Sequence, residues 1–147
     1  MSRKRKSILF LCTGNSCRSQ MAEGWARFLA GDRWLVRSAG VESHGLNPLA
    51  VRAMAEAGVD ISNQWSKLIE ELDIREFDHV ITVCDRAAEH CPVFTGKARL
   101  THHSFADPPR LAASAASEDE AFHYYRLVCQ QIRDFIENLL QRLEVEG

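Results

Sequence analysis

Residues 7–12 (SILFLC) form a short run that is apolar almost throughout, and residues 13–19 (TGNSCRS) that follow are small and polar. A run of that length without alternation reads as a central parallel strand covered on both faces. Beyond the polar loop, Met21, Trp25, Phe28 and Leu29 recur at helical spacing as far as Ala30, and Gly31 with Asp32 closes the segment. The order strand, tight loop, helix restricts the chain to α/β architectures and puts Cys12 at the carboxyl end of the first strand.

The rest of the chain repeats that order. Residues 34–39 alternate Trp34, Val36 and Ser38 against Leu35, Arg37 and Ala39 and stop at Gly40, as a second strand would. Asn47 as N-cap and Pro48 as first helical residue open a helix through Ala57, ended by Gly58. Residues 62–72 are polar and mixed and are expected to form one short helix. Residues 77–84 (FDHVITVC) are rich in β-branched side chains and read as a third strand. Asp85 is expected to cap a short helical stretch before Pro92, residues 97–105 to form a fourth strand, and residues 106–117 to form a loop around the Asp107, Pro108, Pro109 turn. Ser117 and Glu120 have capping-box spacing. Phe122, Tyr125, Cys129, Ile132, Ile136, Leu139 and Leu143 then mark the apolar face of a long C-terminal helix.

Alternating strands and helices imply right-handed crossovers and a mainly parallel sheet of about four strands, in a single domain over residues 1–147. Ligands of such sheets lie at the carboxyl ends of the strands, a rule that gathers the loop after Cys12, the end of the third strand at Cys84 and the loop holding Asp107.

Composition narrows the function classes. A chain of 147 residues with 46% hydrophobic content can bury one core of ordinary size. A net charge of −2 offers no electrostatic footprint for nucleic acid or an anionic membrane surface, so neither is expected as a partner, and any anion selectivity must be local. The basic run from Arg3 to Lys6 is read as a solvated tail, because the apolar run behind it is too short for export or spanning. Five cysteines without a secretory segment point to the cytoplasm, where thiols are more often catalytic, redox-active or metal-binding than structural. No apolar stripe is left unexplained, so a monomer is the default.

The loop itself carries chemistry. Amides of Cys12, Thr13, Gly14, Asn15, Ser16, Cys17, Arg18 and Ser19 can converge on a tetrahedral oxyanion at the N-terminus of the following helix, and Arg18 can add a bidentate fork. The same field is expected to lower the pKa of Cys12 and make it a nucleophile at neutral pH. Gly14 is expected to supply the left-handed backbone of such a cradle. Asp107, placed nearby by the sheet topology, is a candidate acid.

Residues 12–25 (CTGNSCRSQMAEGW), 38–48 (SAGVESHGLNP), 60–62 (DIS), 83–92 (VCDRAAEHCP) and 105–109 (FADPP) resemble the arsenate reductases related to low-molecular-weight tyrosine phosphatases, in their thioredoxin-coupled branch. The resemblance covers nearly the whole chain. It implies a flavodoxin-like sheet, Cys12 as nucleophile, Arg18 as oxyanion clamp, Asp107 as general acid, arsenate as substrate and thioredoxin as reductant. Asn15, Glu23 and Ser38 resemble the potassium site of some members, but the fourth position, usually an aspartate, is Lys67. Its ammonium could fill the cation's space, which makes potassium dependence doubtful; the alternative is a lysine pointing to solvent.

A phosphatase using Cys12, Arg18 and Asp107 alone has no need of further thiols, whereas a two-electron reduction does. Cys84 is the natural second thiol, and Cys91 fits as the third, resolving a Cys12–Cys84 disulfide into a redox-active Cys84–Cys91 disulfide with no bound cofactor. If the residues between Cys84 and Cys91 were helical, the two Cα atoms would stand about 10 Å apart. A disulfide needs roughly 4.4–6.8 Å, so the segment must bend or unwind on oxidation. A zinc site built from Cys84 and Cys91 with His90, His102 or His103 is the competing reading, disfavoured by the wide cysteine spacing. A non-catalytic oxyanion-binding or thiol-sensing module is a further alternative. Cys17 and Cys129 are read as packing residues.

Overall fold

The computed structural model describes residues 5–74, 76–84 and 98–146. Strands β1 (Lys6–Cys12), β2 (Trp34–Gly40), β3 (His79–Thr82) and β4 (Arg99–His102) form one parallel sheet in the order β2-β1-β3-β4. In the central strand β1, Ile8, Leu9, Phe10 and Leu11 are all buried, so side chains on both faces are covered, and this explains why their sequence does not alternate. β3 and β4 are shorter than the runs that predicted them, and most of β4 is exposed at the sheet edge.

Among the described residues four helices flank the sheet: α1 (Arg18–Ala30), α2 (Pro48–Glu56), α3 (Pro108–Ala112) and α4 (Glu118–Glu146). The long α4 packs on α1, α2 and α3. Its seven expected core residues, from Phe122 to Leu143, are all buried. Burial of each large apolar side chain contributes about 1.5–3 kcal/mol, so docking of this face, more than helix propensity, holds α4 in place. At its start the Glu120 amide donates to Ser117 Oγ (3.1 Å) while the Glu120 carboxylate accepts from the amide of Ala116 (2.7 Å). The reciprocal pair predicted by the spacing is present, reaching one residue further back. At α2, Asn47 Oδ1 accepts from the amides of Leu49 (2.8 Å) and Ala50 (3.2 Å), and Pro48 sits where its missing N–H costs nothing.

Two expectations fail. Residues 62–72 do not form a helix: the chain turns after Asp60, whose carboxylate accepts from the amide of Ser62, makes a parallel bridge from Leu68 to Gly40, and has only a 3₁₀ turn at Ile69–Glu71. The cause is competition, since the Lys67 amide and the Trp65 carbonyl are taken by side chains of the loop after β1 and of α1. Residues 106–117 are not all loop, because Pro108 and Pro109 occupy the first turn of α3, where proline is tolerated. The expected helical stretch after Asp85, with His90 and Cys91, lies outside the described residues.

Among the described residues no helix is long and apolar enough to cross a membrane.

Candidate active site

The sheet register brings the two described candidate thiols together. Leu11 of β1 pairs with Thr82 of β3, and the Val83 amide donates to the Leu11 carbonyl (2.9 Å), so the chain leaving β3 runs beside Cys12 and Thr13. Cys84 reaches hydrogen-bonding contact with Cys12, and its sulfur lies 3.1 Å from Thr13 Oγ1. Cys12, Cys17, Cys84 and Cys129 are all buried. Cys129 donates to Met54 Sδ at 3.4 Å, as a packing residue would. Burial pushes the Cys17 thiol far up, a poor setting for a nucleophile.

The carbonyls of the loop after β1 are held from outside. Those of Cys12, Thr13, Gly14 and Ser16 accept from the amides of Val41 (3.4 Å), Glu42 (2.8 Å), His44 (3.0 Å) and Asn47 (3.0 Å), and that of Asn15 accepts from Gln20 Nε2 (3.0 Å). Ser66 Oγ adds a bond to the Gly14 carbonyl at 2.9 Å. In a planar trans peptide the N–H points opposite to the C=O, so the amides of Thr13, Gly14, Asn15, Ser16 and Cys17 are turned the other way. α1 starts directly behind them at Arg18.

The left-handed residue is Asn15, with φ of 47°, and not Gly14. Asn15 accepts this conformation because its side chain is fully used: Nδ2 donates to Ser19 Oγ (2.8 Å) and Ser38 Oγ (3.0 Å), and Oδ1 accepts from the Lys67 amide (3.0 Å). Glycine at position 14 has another cause. A Cβ there would lie 2.4 Å from the ring of His44, and one on Gly40 would lie 2.4 Å from the Glu42 carbonyl oxygen and 2.8 Å from the Asn15 nitrogen. The loop and the end of β2 are in backbone contact.

Arg18 donates from one terminal nitrogen to the Phe105 carbonyl (2.9 Å), and the other lies 3.7 Å from the Asp107 carboxylate. Among the described residues its buried Nε has no hydrogen-bond partner. Asp107 stands at the N-cap position of α3, yet its carboxylate makes no capping bond and faces Arg18 instead. Its side chain keeps 37% of its exposure, so it is open to solvent beside a largely buried guanidinium.

The pKa of Cys12 departs from expectation. Its hydrogen bond with Cys84 raises it first and burial second, well above the ordinary thiol range, while Arg18 and the Thr13 amide pull it down. Two sulfurs sharing a proton cannot both ionise easily, and that pairing outweighs the loop's positive field.

Behind the loop, Ser38 Oγ accepts from Asn15 and donates to Glu23 Oε1 (2.5 Å), and Arg27 Nε holds Glu23 Oε2 (2.8 Å). Lys67 Nζ lies 3.8 Å from Glu23 Oε1 and donates to the Trp65 carbonyl (3.2 Å). Lys67 is 4% exposed, so the solvent-facing alternative fails: the ammonium is buried beside Glu23, the member of the Asn15, Ser38, Glu23 group that it faces. Burial lowers its pKa, with Glu23 opposing.

Sequence reasoning missed Gln20, which is wholly buried on α1, and its partner Gln64. The signal was present: α1 is buried continuously from Ser19 to Ala26, and a polar side chain in such a stretch must be hydrogen-bonded.

Residues 7–147 match the family described as low molecular weight phosphotyrosine protein phosphatase. The arsenate reductase of Bacillus subtilis is 46% identical over 144 residues, spanning 98% of this chain and 99% of its own. A solved arsenate reductase in a phosphate-binding state superposes with a TM-score of 0.74 at 32% identity, covering 93% of this chain and 98% of that one. The thioredoxin-dependent arsenate reductase of Corynebacterium glutamicum shares the fold, with a TM-score of 0.75 at 23% identity over 99% of this chain and 64% of that one. Matched along nearly all of its length, the chain belongs to the low molecular weight phosphotyrosine protein phosphatase family, within its arsenate reductases.

Proposed function

We propose that this chain reduces arsenate to arsenite with Cys12 as nucleophile and Cys84 and Cys91 as a thiol relay regenerated by thioredoxin. The observation that carries the reading is the hydrogen-bonded pair of Cys84 and Thr13 Oγ1 beside Cys12, a second sulfur in hydrogen-bonding contact with the first. The outward carbonyls of residues 12–16 and the unpartnered Nε of Arg18 support an oxyanion bound at the inward amides.

The Cys12 thiolate attacks arsenic, an As–O bond breaks, and Asp107 protonates the leaving oxygen so that water departs. Arsenic remains pentavalent in this thioester. The Cys84 thiolate then attacks the Cys12 sulfur. An S–S bond forms, the S–As bond breaks with its electron pair left on arsenic, and arsenite is released as the two-electron-reduced product. The Cys91 thiolate attacks Cys84, Cys12 leaves as thiolate, and the Cys84–Cys91 disulfide is reduced by exchange with the dithiol of thioredoxin, on which the Corynebacterium neighbour is named as dependent. On binding, the Cys12 proton passes to an oxygen of the arsenate dianion, which leaves a thiolate beside a monoanion and so meets the raised pKa of the paired thiols. Lys67 supplies beside Glu23 the positive charge that potassium supplies elsewhere, Glu23 in turn holding Ser38 and, through it, Asn15, so added potassium should leave the rate unchanged.

The same Cys12, Arg18 and Asp107 arrangement would also hydrolyse a phosphate monoester. Replacing Cys84→Ser separates the readings. Arsenite formation coupled to thioredoxin, thioredoxin reductase and NADPH should stop while hydrolysis of an aryl phosphate survives. Persistent reduction in that variant would sink the relay.

A further inference from the structure

We propose that Gln20 is a positioning residue for the oxyanion site, fixing the left-handed peptide at Asn15 and thereby the direction of the Ser16 amide. The proposal rests on the oxyanion reading above. Gln20 Nε2 has three acceptors: the Asn15 carbonyl (3.0 Å), Asn15 Oδ1 (3.0 Å) and the Trp65 carbonyl (2.9 Å). Its own Oε1 accepts from Gln64 Nε2 (2.8 Å), which also donates to the Gln20 carbonyl (3.0 Å). The orientation of these amides is forced from the backbone. The Lys67 amide can only donate, so Asn15 must present Oδ1 to it, and two carbonyl oxygens can only accept, so Gln20 must present its NH₂.

The consequence is specific to the site. Asn15 is the one non-glycine residue of the described chain with positive φ, and its peptide carbonyl is the one in the run 12–16 held by a side chain of α1 and not by the segment 41–47. Losing the Gln20 donors leaves the Asn15 carbonyl wanting a partner, while the Trp65 carbonyl keeps its bond from Lys67 Nζ. The peptide joining Asn15 to Ser16 is then free to rotate away from the oxyanion. Gln20 is also fully buried, so no water is at hand to replace it. A carboxylate in its place would face three oxygens, and only its neutral form could donate to any of them.

The test uses the intact chain, with inorganic phosphate as the probe and the rate of Cys12 alkylation by iodoacetamide against pH as a second readout. Gln20→Met keeps size and helix compatibility but no donor, and should weaken phosphate binding roughly tenfold or more. Gln20→Glu should bind more weakly still at neutral pH and recover relative to wild type as the solution is acidified. Glu23 and Lys67, the charged groups of the adjoining network, are common to both proteins, so the ratio to wild type isolates position 20. A merely structural role would lower thermal stability without that pH-dependent ratio. Wild-type phosphate affinity and an unshifted alkylation profile in folded Gln20→Met would overturn the proposal. If that variant fails to fold, a Gln20→Glu ratio that is constant with pH overturns it and a rising one supports it. Should wild type itself bind no phosphate, the oxyanion reading falls first, and Gln20 is then judged by whether Gln20→Met moves the alkylation profile to higher pH.

Discussion

On the β2 side of Cys12, four carbonyls of the loop are tied to amides of residues 41–47, Gly40 lets the backbones touch, and Gly14 makes room for the His44 ring. On the β3 side, the described bonds to this region are fewer: the Val83 amide to Leu11, and the Thr13 hydroxyl to Cys84. Among the described residues, one flank is tied through a row of backbone bonds, and the other meets the loop mainly through the side chains of Cys12, Thr13 and Cys84. The division matches two different demands. Binding an oxyanion requires donors that do not reorganise, whereas passing oxidation between thiols requires a sulfur that can change partner.

Substitutions on the fixed flank should damage binding and stability together, and substitutions on the other flank should change sulfur chemistry alone. The largest effect is expected from Arg18→Lys, since an ammonium cannot hold the Phe105 carbonyl, face Asp107 and offer a further donor at once. kcat/KM for arsenate should fall on the order of 100-fold in steady-state assays. Gly14→Ala comes next, with a loss of about 1–3 kcal/mol in urea unfolding from the collision with His44. Most of that loss should be recovered when His44→Ala is added, and failure of the rescue would show that the glycine is needed for another reason. Asn47→Ala removes the α2 cap and the bond from its Nδ2 to Tyr125 (3.1 Å), and should cost about 1 kcal/mol by the same measurement.

The smallest stability effect belongs to the other flank. Cys84→Ala removes the first cause of the raised Cys12 pKa. Alkylation follows the thiolate fraction, so its pH profile should move to lower pH, with phosphate affinity unchanged. A profile that stays in place would mean that burial and not the paired sulfur controls Cys12.

Sequence made the alternation of strands and helices, the caps of α2 and α4 and the buried face of α4 legible, because each depends on neighbours close along the chain or on a regular period. It failed at residues 62–72, where Lys67 and Trp65 give up helical bonds to distant partners, Asn15 in the loop and Gln20 on α1. It failed again at Gly14, whose reason is a histidine thirty residues on, and at Cys12, whose pKa answers to a sulfur from another strand. Asn15, Glu23 and Ser38 lie in one hydrogen-bonded group, but only the fold could decide whether Lys67 faces inward.

The pairing of Leu11 with Thr82 has a further consequence. Neighbouring parallel strands lie about 4.8 Å apart, and a disulfide wants Cα atoms roughly 4.4–6.8 Å apart. Residues leaving two adjacent strands side by side therefore begin at bonding range, with the backbone ladder acting as the gauge. A scaffold of this kind can acquire or lose electron chemistry by the exchange of one side chain at the exit of β3, leaving its anion-binding machinery untouched.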